Sequence, residues 1–231
     1  MEYELEATLI GEYKGKGATH SFLPIVGGGD NGCILHYTEN NRVLTDGDMV
    51  LIDSGAEVQG YAGDITRSYP VNGQFSKPQR EIYQLVLDSQ LAAIEQVQPG
   101  NHWNDPHEAA VKVLTKGLVK LGLLKGSVSR LIKDEAYRRF YMHRTGHWLG
   151  LDVHDVGDYK IDDKWRLLEP GMVLTIEPGI YLAAARSIPK QYRDIGIRVE
   201  DDVAVTNDGP EVLTDMVVKE IDDIEALMQR D

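Results

Sequence analysis

The stretch Met49-Val50-Leu51-Ile52-Asp53-Ser54-Gly55-Ala56-Glu57, followed by Tyr61-Ala62-Gly63-Asp64-Ile65-Thr66-Arg67, constrains the fold more than any other. Each half sets short apolar runs around one acidic position, the pattern of a β-strand. Gln59-Gly60 lies between them and is a turn signal. Pairing Asp53 with Asp64 centres the turn near Val58-Gln59. The two carboxylates then sit across from each other or one pair out, on one face. Directly opposed side chains have Cβ atoms roughly 4.5–5.5 Å apart. Two bare carboxylates that close repel, and one holds a proton unless a cation lies between them. The spacing predicts that Asp53 and Asp64 hold a metal. Two solvated aspartates on an edge hairpin remain the alternative for this pair alone.

Elsewhere the chain alternates between strand and helix signals. Residues 2–16 carry Leu5, Leu9 and Tyr13 at helical spacing. Phe22 to Tyr37 reads as two strands joined by the loop Gly27-Gly28-Gly29-Asp30-Asn31-Gly32, with His36 near the end of the second. That loop lacks the spacing of a phosphate-binding loop. Ser76-x-x-Gln79 is a capping box, followed by an apolar stripe from Ile82 to Val97 that Pro99-Gly100 stops. Asp105-Pro106-x-Glu108 reads as a second capping box, opening a helix that Gly122 ends. A shorter helix is expected around Ser127 to Tyr137. His143 to Val153 is strand-like but glycine-punctuated, Met172 to Glu177 and Ile195 to Val205 alternate as strands, and a last helix covers Ile221 to Met228. Strands, then helices, then strands make an α+β fold with a mainly antiparallel sheet.

Bulk properties exclude several function classes. A net charge of −13 over 231 residues argues against a non-specific nucleic-acid binder. Cys33 is the only cysteine, so no internal disulfide forms and a reducing, cytoplasmic setting is expected. Cys33 sits in an apolar run and reads as a core residue, not a catalytic thiol. No apolar run approaches the roughly 18–20 residues that span a bilayer, so no membrane partner is expected.

The later segments supply further donors. In Thr175-Ile176-Glu177-Pro178, Thr175 and Glu177 share a face, and Pro178 interrupts the ladder just after the glutamate. In Ile195 to Asp201, Ile197 and Val199 point one way, and Arg198 and Glu200 the other. Alone, that pair reads as a solvated sheet face. His143, His147 and His154 lie in one apolar stretch with Trp148, Leu149, Leu151 and Val153, a grouping that suits a site. His20, His102 and His107 fall in cap or loop contexts and receive no role. Carboxylates with one imidazole, drawn from distant segments, are neither a cysteine-rich structural zinc site nor a calcium loop. They suit two divalent ions sharing carboxylates, for which manganese, cobalt, iron and zinc are all chemically possible.

Asp53, Asp64, His147, Glu177 and Glu200 match, in order and context, the five metal ligands of the pita-bread metallopeptidases. Within that group the chain resembles the bacterial Xaa-Pro aminopeptidases. The match is carried by residues 31–37, by Gly60-Tyr61-Ala62-Gly63-Asp64-Ile65-Thr66-Arg67, by His147-Trp148-Leu149-Gly150-Leu151-Asp152-Val153-His154-Asp155, and by Glu177-Pro178-Gly179-Ile180-Tyr181. It covers nearly the whole chain. The resemblance implies a curved, mainly antiparallel sheet with helices on its outer face, occupying residues 1–231 as one catalytic domain. It implies two divalent metal ions, manganese first, with Asp53, Asp64 and Glu200 chelating and Asp64 and Glu200 bridging. His147 and Glu177 would complete one shell, and Glu177 would serve as general base. His36, His143 and His154 would surround the metals. His143 and His154 would bind the scissile carbonyl or the tetrahedral intermediate and move protons. Arg198 and Tyr181 also match, and Arg198 would hold the bridging carboxylates.

The implied reaction removes an N-terminal residue when proline comes second, so the expected partners are peptides with proline at the second position. Proline offers no N–H to a general peptidase. Two readings compete: a prolidase restricted to dipeptides, and a pita-bread binding module without catalysis. The resemblance further implies that the chain starts within the first helix of the catalytic domain and lacks the family's N-terminal domain. It is then expected to fold and bind metal with weaker activity, the full-length protein being a homo-oligomer. Arg144 departs from the small residue usual in the family and is expected to point to solvent.

Overall fold

In chain order, residues 1–229, those described by this computed structural model, form α1 (Glu2–Gly15), β1 (Thr19–His20), β2 (Ile25–Gly28), β3 (Met49–Ser54), β4 (Ala56–Val58), β5 (Tyr61–Ala62) and β6 (Ile65–Pro70). The helices α2 (Lys77–Ile94), α3 (Asp105–Lys120) and α4 (Val128–Lys133) follow. Then come β7 (Lys160–Ile161), β8 (Lys164–Trp165), β9 (Val173–Ile176), β10 (Gly179–Leu182), β11 (Ile195–Arg198), β12 (Asp201–Thr206), β13 (Gly209–Val212) and α5 (Ile221–Met228). Every strand pair among the described residues is antiparallel.

The opening ribbon forms with its turn at Gln59-Gly60, one residue beyond the expected centre. Both residues have positive φ, +54° and +83°, the backbone of a tight hairpin turn whose twist matches its strands. The ladder therefore pairs Asp53 with Thr66, and Asp64 lies diagonally from Asp53, outside β6. β3 sits between β2 and β6. A second sheet orders β13, β12 and β9, and β10 pairs with β11. The two halves meet where β6 crosses residues 198–200. Ser68 Oγ donates to Arg198 C=O at 3.1 Å, and Glu200 N–H donates to Thr66 C=O at 3.1 Å.

Helices cover one side of these sheets. Ile82, Val86, Leu114 and Leu118 of α2 and α3 pack on Ile180, Leu182, Ile195 and Ile197. Ala93, Ile94 and Ala110 pack with Trp103 and Trp148 on Leu174, Ile176, Val203 and Val205. All these side chains are buried, so the helices close this side of the sheets to solvent.

Several local expectations need correction. Residues 34–37 form no strand: after β2 the chain makes a 3₁₀ turn over Gly29–Cys33. α2 closes at Ile94, and buried Val97 lies beyond it. Its capping box is present, with Ser76 N–H donating to Gln79 Oε1 at 2.8 Å. The cap of α3 is Asn104, not Asp105, whose carboxylate instead takes the His102 N–H at 2.8 Å. The Ser127–Tyr137 helix divides into α4 and a 3₁₀ turn at Ala136–Arg139. α5 spans the expected residues.

Candidate metal centre

Four backbone devices bring the acidic residues together. Asp53 is presented by the central strand β3. Asp64 follows the Gly63 bend, its N–H donating to Asp202 Oδ2 at 3.1 Å. Glu177 stands just past β9, where Pro178 ends the ladder. Glu200 occupies the break between β11 and β12.

The histidine arrives by a less regular route. Residues 143–153 form no regular strand, apart from a single bridge between Trp148 and Leu174. Residues 145–149 nevertheless run antiparallel to β9. Thr175 N–H donates to His147 C=O at 3.0 Å, Leu149 N–H to Val173 C=O at 3.1 Å, and Glu177 N–H to Thr145 C=O at 2.7 Å. Gly146 permits the approach, because a Cβ there would stand 1.8 Å from Thr175 O.

The side chains converge. His147 Nε2 lies 3.3 Å from Asp64 Oδ2 and 3.8 Å from Glu177 Oε1. One donor atom each from Asp64, His147 and Glu200 falls within 4.8 Å of the others. Arg198 reaches into the cluster, its Nη2 donating to Asp53 Oδ2 at 2.5 Å. Its Nη1 donates to Tyr181 Oη at 2.9 Å and its Nε to Thr66 Oγ1 at 3.0 Å. The Thr66 hydroxyl, which accepts from Arg198, donates to Glu200 Oε2 at 2.5 Å. Tyr181 Oη lies 2.8 Å from His143 Nε2, and His143 Nδ1 lies 2.7 Å from Arg144 C=O. A carbonyl only accepts, so Nδ1 carries the proton of the neutral ring and Nε2 accepts from Tyr181.

Electrostatics at this face are unfavourable for bare carboxylates. Burial raises Asp64 and Glu200 well above the usual carboxylate range, and neighbouring carboxylates raise them further. Burial pushes Glu177 up to about 8, against the pull of Arg198. Burial also holds His143 down at about 3 and lowers His147, so both rings are neutral near pH 7.

This arrangement fits divalent cations. His147 Nδ1 lies 3.0 Å from Trp148 C=O, which assigns its proton there and leaves the Nε2 lone pair facing a carboxylate. Two acceptors cannot satisfy each other. Asp53 Oδ1 and Asp64 Oδ1 are likewise buried without a hydrogen-bond partner. Asp53, Asp64, His147, Glu177 and Glu200 would hold the ions.

The site opens into a pocket of about 610 Å³. All five expected ligands line it, as do His36, His143, His154 and Arg198. His154 packs edge-on against His147, ring centres 4.4 Å apart. Tyr181 does not line the pocket; its hydroxyl meets His143 and Arg198 behind it. Neither solvated alternative holds: Asp53, Asp64, Arg198 and Glu200 are all buried. Arg144, though exposed, does not point away. It lines the pocket and lies over the Trp165 ring.

Sequence reasoning missed Thr66, Asp202, and the aromatic wall of Trp103, Tyr159 and Trp165. It also placed His107 in a cap or loop context. His107 is buried in the first turn of α3, its Nδ1 2.8 Å from Thr145 Oγ1. Only Thr66 carried a signal, as the residue that faces Asp53 once the turn is centred one position later.

The sequence pattern of metallopeptidase family M24 matches residues 1–207. The chain is 56% identical to the Xaa-Pro aminopeptidase of Haemophilus influenzae over 229 residues, 99% of this chain and 53% of that protein. It is 54% identical to the Xaa-Pro aminopeptidase of Escherichia coli, over 99% of this chain and 52% of that one. Among solved structures, Pseudomonas aeruginosa aminopeptidase PepP superposes with a TM-score of 0.97 at 55% identity, covering 98% of this chain and 52% of that one. Zinc-substituted E. coli aminopeptidase P in complex with product superposes at 0.95 with 54% identity, over 98% and 52%. The chain thus spans about half the length of the curated relatives it matches. The expected α+β, pita-bread architecture is the fold of these aminopeptidases.

Proposed function

The chain belongs to metallopeptidase family M24, and from that premise we propose that it is the catalytic domain of an Xaa-Pro aminopeptidase. The observation that carries the proposal is the buried convergence of Asp53, Asp64, His147, Glu177 and Glu200 at the floor of one pocket. Two divalent ions, manganese by preference for so oxygen-rich a set, would supply water activation and stabilisation of developing negative charge.

The chain's own residues do the rest. Glu177, whose ionised form bound cations would favour over its buried acid form, takes a proton from the attacking water and returns it to the leaving nitrogen. Neutral His143, its tautomer fixed by Arg144 C=O and Tyr181, offers no positive charge to repel a substrate ammonium. His143 and His154 face the pocket, where they contact the scissile carbonyl or the intermediate, and His36 lines the same pocket. Arg198 and Thr66 orient Asp53 and Glu200 and leave them little freedom to rotate. The acidic floor attracts the free amine of a peptide, which limits cleavage to the first bond. The substrates are peptides with proline at the second position. With one free cysteine and among the described residues no helix long and apolar enough to cross a membrane, a reducing cytoplasm is the proposed setting.

A peptidase assay tests this reading. The chain, with and without added Mn(II), is given an Xaa-Pro tripeptide, an Xaa-Pro dipeptide and an Xaa-Ala tripeptide. Metal-dependent release of the first residue from the proline tripeptide, lost in Glu177→Ala, is expected. Cleavage of the dipeptide alone points to prolidase. Metal binding with no hydrolysis of any of the three, by this chain or by a longer one that includes it, overturns the peptidase reading.

A further inference from the structure

We infer that Arg144 is a specificity-determining residue that recognises a carboxylate on the downstream, proline-containing side of the substrate. The inference rests on the peptidase reading above for the direction in which substrate lies. Arg144 shares the pocket with the acidic cluster but is exposed where Asp53, Asp64 and Glu200 are buried, and Trp103, Tyr159 and Trp165 line the pocket with it. Its guanidinium carbon lies 5.0 Å from the centre of the Trp165 ring, and Lys160 Nζ lies 4.3 Å from the same centre. Two cations therefore share one indole.

The guanidinium is positioned but not neutralised. Its Nη2 donates to Asn104 Oδ1, a neutral oxygen. Among the described residues this is its only hydrogen bond, and no carboxylate comes within ion-pair distance. A guanidinium carries five N–H donors in a planar fork that fits a carboxylate. Most of them remain free at the wall of the pocket. Stacking on Trp165 lowers the entropy lost when they engage an anion.

The pocket is thus polarised. Asp53, Asp64, Glu177 and Glu200 attract an ammonium at the floor, and Arg144 attracts an anion at the rim. A short peptide whose amine faces the floor sends its other end toward Arg144. Arg144 and Trp165 also border a neighbouring groove that carries Asp105, Glu108 and Glu135 beside Lys112 and His107. Within the pocket itself, a carboxylate is favoured near Arg144. An acidic side chain soon after proline and the free terminus of a tripeptide both supply that group.

Three substrates separate the two sources: Ala-Pro-Gln-amide, which is neutral, Ala-Pro-Glu-amide, and Ala-Pro-Gln with a free terminus. For the Mn(II)-loaded protein, kcat/KM is expected to be about three- to tenfold higher for whichever carboxylate peptide reaches Arg144, mostly through KM. The ratio is expected to fall toward one in Arg144→Gln and to survive in part in Arg144→Lys, which keeps the charge without the fork. Calorimetric binding of the same peptides to the metal-free protein should show the same preference and the same loss. Equal treatment of all three peptides by the unsubstituted protein overturns the inference, as does a preference that Arg144→Gln retains. An Arg144-dependent binding preference without hydrolysis of any peptide would leave this inference standing and remove the peptidase reading instead.

Discussion

Thr66 donates its hydroxyl to Glu200 Oε2 and on the same oxygen accepts the Nε–H of Arg198. One small side chain thereby joins a carboxylate of the acidic cluster to the guanidinium that also holds Asp53. Thr66→Val keeps the shape and removes both bonds. It leaves buried Arg198 Nε and one Glu200 oxygen without partners. We expect Mn(II) affinity, read by calorimetry, to fall about ten- to a hundredfold. Thr66→Ser should recover most of it. Unchanged affinity in Thr66→Val would remove Thr66 from the site.

The crowding of carboxylates predicts a pH dependence of the metal-free protein. Glu177 rises from its ordinary 4.5 to about 8, and Asp202 from 3.8 to about 7, both chiefly through burial. A folded-state pKa above the unfolded value means that the folded state binds more protons between the two. Stability is then fully present below about pH 4 and declines as pH rises toward 8. His143 and His107, both held down at about 3 by burial, act in the opposite sense below about pH 6.5, so the carboxylates are read above that range: we expect the midpoint of thermal unfolding in chelator to be about 3 °C or more lower at pH 8 than at pH 7. Mn(II) at saturating concentration should abolish or invert the difference, because the cation replaces the protons. Chelator scans that show greater stability at pH 8 would contradict this account of the site.

Gly146 sits where residues 145–149 press against β9. A Cβ there would meet Thr175 O at 1.8 Å, a backbone atom that cannot rotate away. Gly146→Ala must push the His147 segment off β9 and break its hydrogen bonds to Thr175 and Glu177. We expect a stability loss of about 2 kcal/mol or more by urea denaturation, and a fall in Mn(II) affinity with it. An alanine variant with unaltered metal binding would show that His147 does not depend on this contact.

Much of this site was legible in the chain. Alternation put Thr175 and Glu177 on one face, and Leu174 and Ile176 duly enter the core opposite them. The same alternation grouped Arg198 with Glu200. It did not reveal that this face is covered, because the pleat fixes only direction and burial depends on what crosses it. Here β6 crosses it, with Thr66 and Ser68 bonded to residues 200 and 198. The turn at Gln59-Gly60, centred one residue later than expected, shifts the pairing by two residues, so Thr66, not Asp64, faces Asp53. The sequence pattern of 143–153 predicts a strand carrying His147, and residues 145–149 do bond to β9, but with a single bridge, Trp148 to Leu174, they form no regular strand. The stretch 34–37 is short and mostly apolar, and such runs do not distinguish a strand from an irregular segment; only Tyr37 of it is buried, and Ile34 is exposed. The aromatic wall was hidden because Trp103, Tyr159 and Trp165 are far apart in sequence and share no period.

Glu2 illustrates what no local pattern could give. It is fully buried, and its carboxylate accepts four hydrogen bonds. Oε1 takes Gly28 N–H at 2.7 Å and Asn31 Nδ2 at 3.1 Å. Oε2 takes the Tyr37 hydroxyl at 2.7 Å and Arg42 N–H at 2.8 Å. These bonds tie α1 to the segment 28–42, which carries His36 to the pocket. In Glu2→Ala all four donors lose their acceptor inside the protein, two of them backbone amides. An unsatisfied buried donor costs about 1–3 kcal/mol, less where water enters, so a loss of about 3 kcal/mol or more is expected. Glu2→Gln retains one acceptor oxygen but turns an NH₂ toward the other pair of donors, and should lie between the two. Hydrogen exchange at the Gly28 and Arg42 amides should accelerate in both variants, more in alanine. If exchange there is unchanged while global stability falls, the carboxylate acts through the helix alone and not through the His36 segment.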